Sequence, residues 1–479
     1  MPFIDRTDDL RDLSTRWGQG PQSYLLWGRR RVGKSALIHQ FAAGKDAIIY
    51  QAIRGTVTDQ LSLLTGRILA WQEDPVLQAA PLANWEQAFA YLESLAQRRR
   101  AAGDPLLLVF DELQYLADAD ESLLTRLQDF LDRVKQRDLP LFTILAGSSI
   151  SFFEGRVAIG SLFGRRTGGG LLAPLDYLGA VQFFPQWHAA DRIRAWALLG
   201  GMPYYLEQFD PNRSLTWNAR ERMLRRNQVL YNEAELLLAE ELHDAPQYLS
   251  VLAALAGGAT RLSEISGWTK IPVTSLPAIL GRLGRLHLVE RSRPVGEGAD
   301  SKRGLWTLLD NYLRFWFTFI RPNQVELEAG RADAIWRTKV APELDHFVSK
   351  PAFEMLCRAW VRTHLGFHPS LPAGGEVGGW WGASVEVTPE GRRSVQREAD
   401  IAVRDPSGRI DLVGEAKWTS GPVDNDALTQ LRAAARAIPG VTDETRLVLF
   451  GRGSFTDRVH AAADAEGILL LGADDLLGS

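Results

Sequence analysis

The sequence predicts an α/β multidomain protein with two separate sheets, and three observations lead there. An apolar run, Ser23 to Trp27, enters the segment Gly28, Arg29, Arg30, Arg31, Val32, Gly33, Lys34, Ser35, and a helical run, Ala36 to Ala42, leaves it. Further apolar runs at 106–110 and 141–146 lack polar alternation, the pattern of strands buried on both faces of a parallel sheet. Far downstream, residues 398–403 and 410–418 alternate on either side of Pro406, Ser407 and Gly408, which reads as a hairpin in a second sheet.

The segment at 28–35 fits G-x-x-x-x-G-K-[ST], a phosphate-binding loop, and its strand-before, helix-after context is the required one. Its glycines let backbone N–H groups turn inward around a phosphate, and the helix N-terminus adds partial positive charge. Lys34 is then expected to reach the β/γ-phosphates of ATP and Ser35 to ligate Mg²⁺. The strand at 106–110 ends in Asp111 and Glu112. An acid pair at the carboxyl edge of a parallel strand lies where open α/β sheets bind ligands. Asp111 is expected to hold Mg²⁺ and Glu112 to polarise the attacking water. The third strand runs into Gly147, Ser148 and Ser149, where Ser148 is placed to sense a γ-phosphate or simply to cap a helix.

Composition sets the frame. A chain of 479 residues holds about two to four domains. Charged residues at 23% and hydrophobic residues at 46% fit an ordinary globular protein. A formal net charge of −4 provides no global attraction to nucleic acid, so any such contact must come from local patches. The single cysteine, Cys357, excludes an intrachain disulfide and fits a reducing compartment. The early acids Asp5, Asp8 and Asp9 argue against a signal peptide, and runs such as 313–320 are too short to span a bilayer. A cytoplasmic protein without membrane contact is the expectation. The fifteen tryptophans, Trp306, Trp316, Trp380 and Trp381 among them, read as core and interface residues.

Together these features resemble the archaeal/bacterial ATPase family, a STAND branch of the AAA+-like P-loop ATPases, over most of residues 1–320. The resemblance includes Phe3 to Arg6 with Asp9 and Leu10, the triple-arginine loop, Leu162 to Thr167, Leu172 to Leu175 and Phe183 to Pro185. It implies an ATPase core at 1–170 and a helical lid at 171–243. Within that lid, Gly200, Gly201, Met202 and Pro203 look like the G-x-P motif that reads nucleotide state. It makes Arg165 or Arg166 a candidate arginine finger, and solvated surface arginines are the alternative. A finger acting across subunits would imply a homo-oligomer.

Between about 244 and 322 the pattern is helix (262–268), turn, helix (275–286), then strands at 288–293 and 304–309 flanking a Gly/Asp/Lys loop. Helix-turn-helix followed by a two-stranded wing is a winged helix. Arg282 and Arg285 on its second helix, with Lys302 and Arg303 on the wing, suffice for phosphate contacts but form no dense basic face. The module is expected either to touch DNA or to act only as an interdomain arm. Residues 309–320 resemble the junction leading into this family's C-terminal domain, with a connector at 323–345.

The last module, 346–479, brings a second chemistry. If its hairpin centres on Pro406 and Ser407, Asp400 pairs opposite Val413, and Val413, Glu415 and Lys417 share a face with Asp400. Asp400 and Glu415 are then diagonal neighbours, about 7–8 Å apart at the backbone. Two such carboxylates can share one hard cation. Lys417 can orient or deprotonate the attacking water. The spacing of 14 residues between Asp400 and Glu415, followed by Ala416 and Lys417, resembles the PD-(D/E)XK nuclease core, a restriction-endonuclease-like α/β fold. That resemblance makes Glu354, on an expected helix 350–365, a further acid of the metal site, with Mg²⁺ or Mn²⁺ as its metal. It also places a helix at 425–438 carrying Gln430, a strand at 447–450, and a first strand near Phe367 or Val377. Ala399 stands where the motif's proline would be.

Three readings follow. The first is an ATP-hydrolysing protein that controls a metal-dependent, DNA-cleaving or DNA-binding nuclease-like domain. The second is a STAND-type switch or scaffold whose nuclease fold does not cleave. The third is a housekeeping ATPase with a C-terminal module for protein contacts.

Overall fold

Strands β1 (Gln22–Trp27), β2 (Ala47–Gln51), β3 (Leu106–Asp111), β4 (Leu141–Gly147) and β5 (Gly168–Leu171) form one sheet in the order β2-β3-β4-β1-β5, with every neighbouring pair parallel. The computed structural model describes residues 3–100, 105–157, 160, 162–242, 245–298, 300–388 and 391–478. The sequence-based boundary between lid and winged helix, at 243 and 244, lies outside the described residues. The chain divides into two units, one of residues 1–175 with 202–204, the other of 176–201 with 205–479.

In the first unit β3 and β4 are buried at every position. That burial on both faces accounts for their unbroken apolar sequences. Each wholly buried side chain such as Leu107 or Ile144 stabilises the fold by about 1.5–3 kcal/mol. The edge strand β5 is Gly168, Gly169, Gly170, Leu171, which reads as a loop by composition. Its pairing with β1 explains the glycine: at Gly169 (φ +101°) a Cβ would stand 1.9 Å from the Leu25 carbonyl oxygen.

The second unit opens with helices, of which Ala189–Leu199 is the longest before residue 203. Helices Ala245–Ala256, Leu262–Thr269 and Leu276–Arg285 follow, then an antiparallel pair, β6 (Val289–Ser292) and β7 (Leu305–Leu308). A helical stretch from Asn311 leads to helix Glu354–His364. The second sheet contains β8 (Glu376–Thr388), β9 (Gly391–Arg404), β10 (Ile410–Lys417), β11 (Val441–Gly451) and β12 (Leu469–Leu471), in the order β12-β11-β10-β9-β8. It is mixed: β8, β9 and β10 pair antiparallel, whereas β10, β11 and β12 are parallel. Helix Asn425–Ala437 crosses from β10 to β11 and buries Leu428 and Leu431 in a core with Ala402, Val413 and Leu449.

Two expectations about this region need correction, and a third is narrowed. The β9–β10 register is not the one read from the turn, because Val413 pairs with Ala402 and Gly414 with Ile401. Asp405 organises a longer loop by accepting from Ser407 Oγ (2.7 Å) and the Arg409 N–H (2.8 Å), and the register shifts between Ile410 and Leu412. Extended one step, this register would set Asp400 opposite Glu415 instead of opposite Val413. The slip is two residues, so the shared face survives. Second, regular α-helix begins at Glu354 and not at Lys350, whose backbone is extended (φ −126°, ψ 130°) ahead of Pro351. Third, of the two places read for the first strand the one at Val377 holds: the strand runs from Glu376 to Thr388, and Phe367 lies exposed before it.

Candidate functional site

In the first unit, the turn from β1 into helix Lys34–Ala42 is tightly packed. A Cβ at Gly28 would meet the Leu172 carbonyl oxygen at 2.5 Å, and Gly33 caps the helix at φ +97°. Lys34 is buried, and its Nζ donates to the carbonyls of Gly28 (2.7 Å) and Arg29 (3.0 Å). Arg30 reaches the Tyr115 hydroxyl at 2.6 Å, Val32 is fully buried, and the Arg31 guanidinium lies 4.4 Å from the centre of the Tyr204 ring. Pro203 Cγ stands 3.7 Å from the point a Gly33 Cβ would occupy, so the Gly-Met-Pro segment rests on the loop.

At the end of β3, Asp111 accepts from Ser35 Oγ at 3.1 Å and from the Glu112 N–H at 2.9 Å. Burial, and then the charge of Glu112, push its carboxyl upward. A cation between Ser35 and Asp111 would relieve that cost, and a hydroxyl beside a carboxylate is a donor pair suited to Mg²⁺. Glu112 adopts a left-handed backbone conformation (φ 56°). Its carboxylate accepts from Ser148 Oγ (2.7 Å), the Ser148 N–H (3.1 Å) and Gln114 Nε2, and Gln114 Nε2 also reaches Ser148 Oγ at 3.1 Å. Ser148 is thus joined to the acid at the strand end. Gln114, two residues beyond Glu112, carries no local signal, whereas Arg6, from the Phe3–Arg6 segment of the resemblance, donates to the carbonyls of Val32 (3.0 Å) and Ala173 (2.7 Å). The finger candidates are engaged elsewhere. Arg165 forms a bidentate pair with Asp132 at 3.0 Å, and exposed Arg166 lies 3.7 Å from the Phe163 ring centre.

In the second unit the acids of β9 and β10 converge. Asp400 and Glu415 are both under 10% exposed. Asp400 Oδ2 accepts from the Ala416 N–H at 2.9 Å, while Lys417 Nζ donates to Glu415 Oε1 (2.7 Å) and Gln430 Oε1 (2.8 Å). Glu354 pairs with Lys350 (3.3 Å) and Arg358 (3.6 Å), and Lys350 also bonds Glu398 at 2.6 Å. Burial, reinforced by the Asp400 charge, pushes Glu415 and Glu354 up to about 7, and burial raises Asp400 as well. At Lys350, a half-exposed side chain, partial desolvation would lower the ammonium, but the surrounding Glu354, Glu398 and Asp400 raise it.

Among the described residues, no group of three or more His, Cys, Asp or Glu is placed to hold a metal ion, so Glu354, paired with Lys350 and Arg358, does not join Asp400 and Glu415 as the further metal acid that the resemblance implied. Mg²⁺ does not require such a group, because it keeps several waters and takes one or two carboxylates plus substrate phosphates. Two buried carboxylates that ionise reluctantly by themselves fit such a cation.

One further carboxylate ties this sheet to the helical segments of the same unit. Asp345 Oδ1 accepts from Arg194 Nη2 (2.7 Å) and Trp418 Nε1 (3.0 Å), and Oδ2 accepts from Arg452 (2.9 Å). Both guanidiniums lie 5.7 Å from the Trp418 ring. Partial burial opposes the Asp345 charge, but the bonds from Arg194 and Trp418 and the arginine charges hold its carboxyl below the usual value.

A parallel sheet with this loop, this lysine and this acid pair defines a nucleotide-binding P-loop ATPase fold. Residues 3–209 match the family described as an ATPase domain predominantly from Archaea. Residues 316–431, which include Glu354, Asp400, Glu415, Lys417 and Gln430, match archaeal and bacterial proteins of unknown function. An uncharacterized protein of Methanocaldococcus jannaschii is 25% identical over 421 residues, 87% of each chain. Among solved structures, a Walker-type ATPase of Pyrococcus abyssi is similar at 22% identity with a TM-score of 0.50, covering 66% of this chain and 96% of that one. The ORC2 protein of Aeropyrum pernix aligns at 14% identity with a TM-score of 0.40, over 71% and 96%. Among the described residues, no helix is long and apolar enough to cross a membrane.

Proposed function

We propose that the chain is an ATP-controlled, metal-dependent nuclease acting on DNA. The carrying observation is the β9–β10 face, where two buried carboxylates and Lys417 stand together with Glu354 close enough for the Asp400 charge to act on it. In this reading residues 1–170 are the ATPase core, 171–243 the lid, 244–322 a winged helix, 323–345 a connector, and 346–479 a restriction-endonuclease-like domain. Mg²⁺ held by Asp400 and Glu415, with Mn²⁺ able to replace it, would supply positive charge to the scissile phosphate. Lys417, steered by Gln430 and Glu415, takes or orients the proton of the attacking water. Lys350 and Arg358 neutralise Glu354 and so moderate the negative field that an incoming phosphodiester meets. At the other site, Ser35 and Asp111 would hold Mg²⁺ with ATP, and Ser148 positions Glu112.

Control by ATP is supported by Asp345, which binds Arg194 on the helix preceding Pro203 and Trp418 directly after Lys417. The test is cleavage of supercoiled plasmid with Mg²⁺ or Mn²⁺, beside Lys417→Ala. Cutting by the parent alone supports the proposal; equal cutting by both proteins, or none under any nucleotide condition, contradicts it. A second reading, a nucleotide-dependent switch that binds DNA without cleaving, is favoured by the engagement of Lys417 with Glu415 and Gln430. It predicts salt-dependent DNA binding that survives Asp400→Ala and Glu415→Ala.

A further inference from the structure

A cavity of about 510 Å³ in the second unit adjoins the acids of the site above, sharing Asp400, Glu354 and Lys350 with it, and extends to residues that site does not use. It is bounded by β7, by the helical stretch through Arg314 and Phe347, and by the corner of the mixed sheet that carries Asp400. Its volume lies within the range that encloses a small organic ligand. One part of the wall is aromatic, with Trp306, Trp380, Phe319 and Phe347; another is charged, with Arg314, Lys350, Glu354 and Asp400.

Arg314 is the informative member. It is 4% exposed, its Nη1 donates to the Lys350 carbonyl at 2.6 Å, and its guanidinium lies 3.7 Å from the Phe347 ring centre. Its Nε and Nη2 are buried and have no hydrogen-bond partner among the described residues. Thr318 Oγ1, also in the cavity wall, has none either. Burial lowers the Arg314 guanidinium to about 9, which leaves it charged at neutral pH. A buried cation with two unpartnered nitrogens, three N–H donors in all, is costly unless an acceptor reaches it, and the planar guanidinium fork matches phosphate oxygens.

We propose that this cavity binds a nucleoside phosphate, with phosphate oxygens accepting from Nε and Nη2 of Arg314 and the base lying against the aromatic wall. A flat π-system on aromatic side chains is favourable whichever base it carries. A free nucleotide and the terminal nucleotide of a strand present the same chemistry. The proposal rests on the cavity and Arg314, and does not require that the acid pair cleave DNA.

The test uses the full chain carrying Lys34→Ala, which silences the phosphate loop, titrated calorimetrically with dAMP, inorganic phosphate and a 5′-phosphorylated oligothymidylate. One dAMP should bind per chain, more tightly than inorganic phosphate. Arg314→Met should weaken that binding at least about tenfold, because it removes a charge-assisted fork. Thr318→Leu, a milder change at the same wall, should weaken it severalfold and covers the case in which Arg314→Met does not fold. Displacement of dAMP by the oligonucleotide identifies a strand end as the source; retention of dAMP identifies a free nucleotide. Absence of saturable binding by both nucleotide probes, phosphate binding as tightly as dAMP, or unchanged affinity in folded Arg314→Met and Thr318→Leu overturns the proposal.

Discussion

Trp418 Nε1 donates to Asp345 Oδ1 at 3.0 Å, and the same oxygen accepts from Arg194 Nη2 at 2.7 Å. Trp418 adjoins Lys417. The helix that carries Arg194 ends at Leu199, and the chain continues through Gly200 and Gly201 to Pro203, which lies against Gly33. One carboxylate therefore links the strand bearing the candidate nuclease lysine to the helix that precedes the Gly-Met-Pro segment in the chain. Asp345→Asn keeps the shape and removes the charge. It is expected to leave ATP affinity unchanged and to reduce the ATP response of DNA cleavage from about tenfold or more to under about threefold, within the usual range of coupling energies. Cleavage rates with and without ATP, in parent and variant, check this.

Lys34→Ala should lower ATP affinity by at least about a hundredfold, because a buried cation placed for the phosphates has no substitute. The loop itself should persist, held by Arg6 on the Val32 and Ala173 carbonyls. Calorimetric titration with ATP, together with an unchanged circular dichroism spectrum, is the measurement.

Arg165 is committed to Asp132 within the first unit. Arg165→Ala should therefore reduce ATP turnover by less than about tenfold, whereas loss of a true arginine finger costs about 10³–10⁵. Steady-state ATPase rates decide, and a loss of a thousandfold or more would make Arg165 the finger after all.

The acids of β9 and β10 predict a pH dependence whose sign can be worked out. Glu415 and Glu354 rise to about 7 in the folded chain from an ordinary value of 4.5. The native state therefore favours their protonated forms. Their contribution to stability is complete below about pH 4.5, is lost as pH rises to about 7, and is constant above that. Divalent cations need the ionised forms, so Mn²⁺ affinity should climb between about pH 6 and 8 and then level off. Glu415→Gln should abolish this climb. It should also raise the melting temperature relative to the parent at pH 8 but not at pH 4.5. Calorimetry and thermal melts across that range test both statements.

How much of this was legible in the sequence depended on how local each cause was. β1, β3 and β4 announce themselves because burial on both faces demands unbroken apolar runs. The loop at 28–35 and the acids at 111 and 112 are legible because their chemistry is packed into a few adjacent residues. β5 was not, since three glycines read as a loop until the Leu25 backbone is seen against Gly169. The hairpin register misled because the Asp405 loop and the shift before Leu412 are set by hydrogen bonds that no alternation pattern encodes. Even so, a slip of two residues preserves the face, so Asp400, Glu415 and Lys417 share it under either pairing. Gln114, Asp345 and Arg314 lay beyond reach because each matters only through residues distant in the chain.

The most direct test of the central claim is the rate of plasmid cleavage in Mg²⁺ with ATP, with a non-hydrolysable analogue and with no nucleotide, for the parent, Lys417→Ala and Glu415→Gln. The account predicts cutting by the parent that changes with nucleotide, and none above background by either variant. No cutting by the parent in any nucleotide state, or equal cutting by all three proteins, would contradict it.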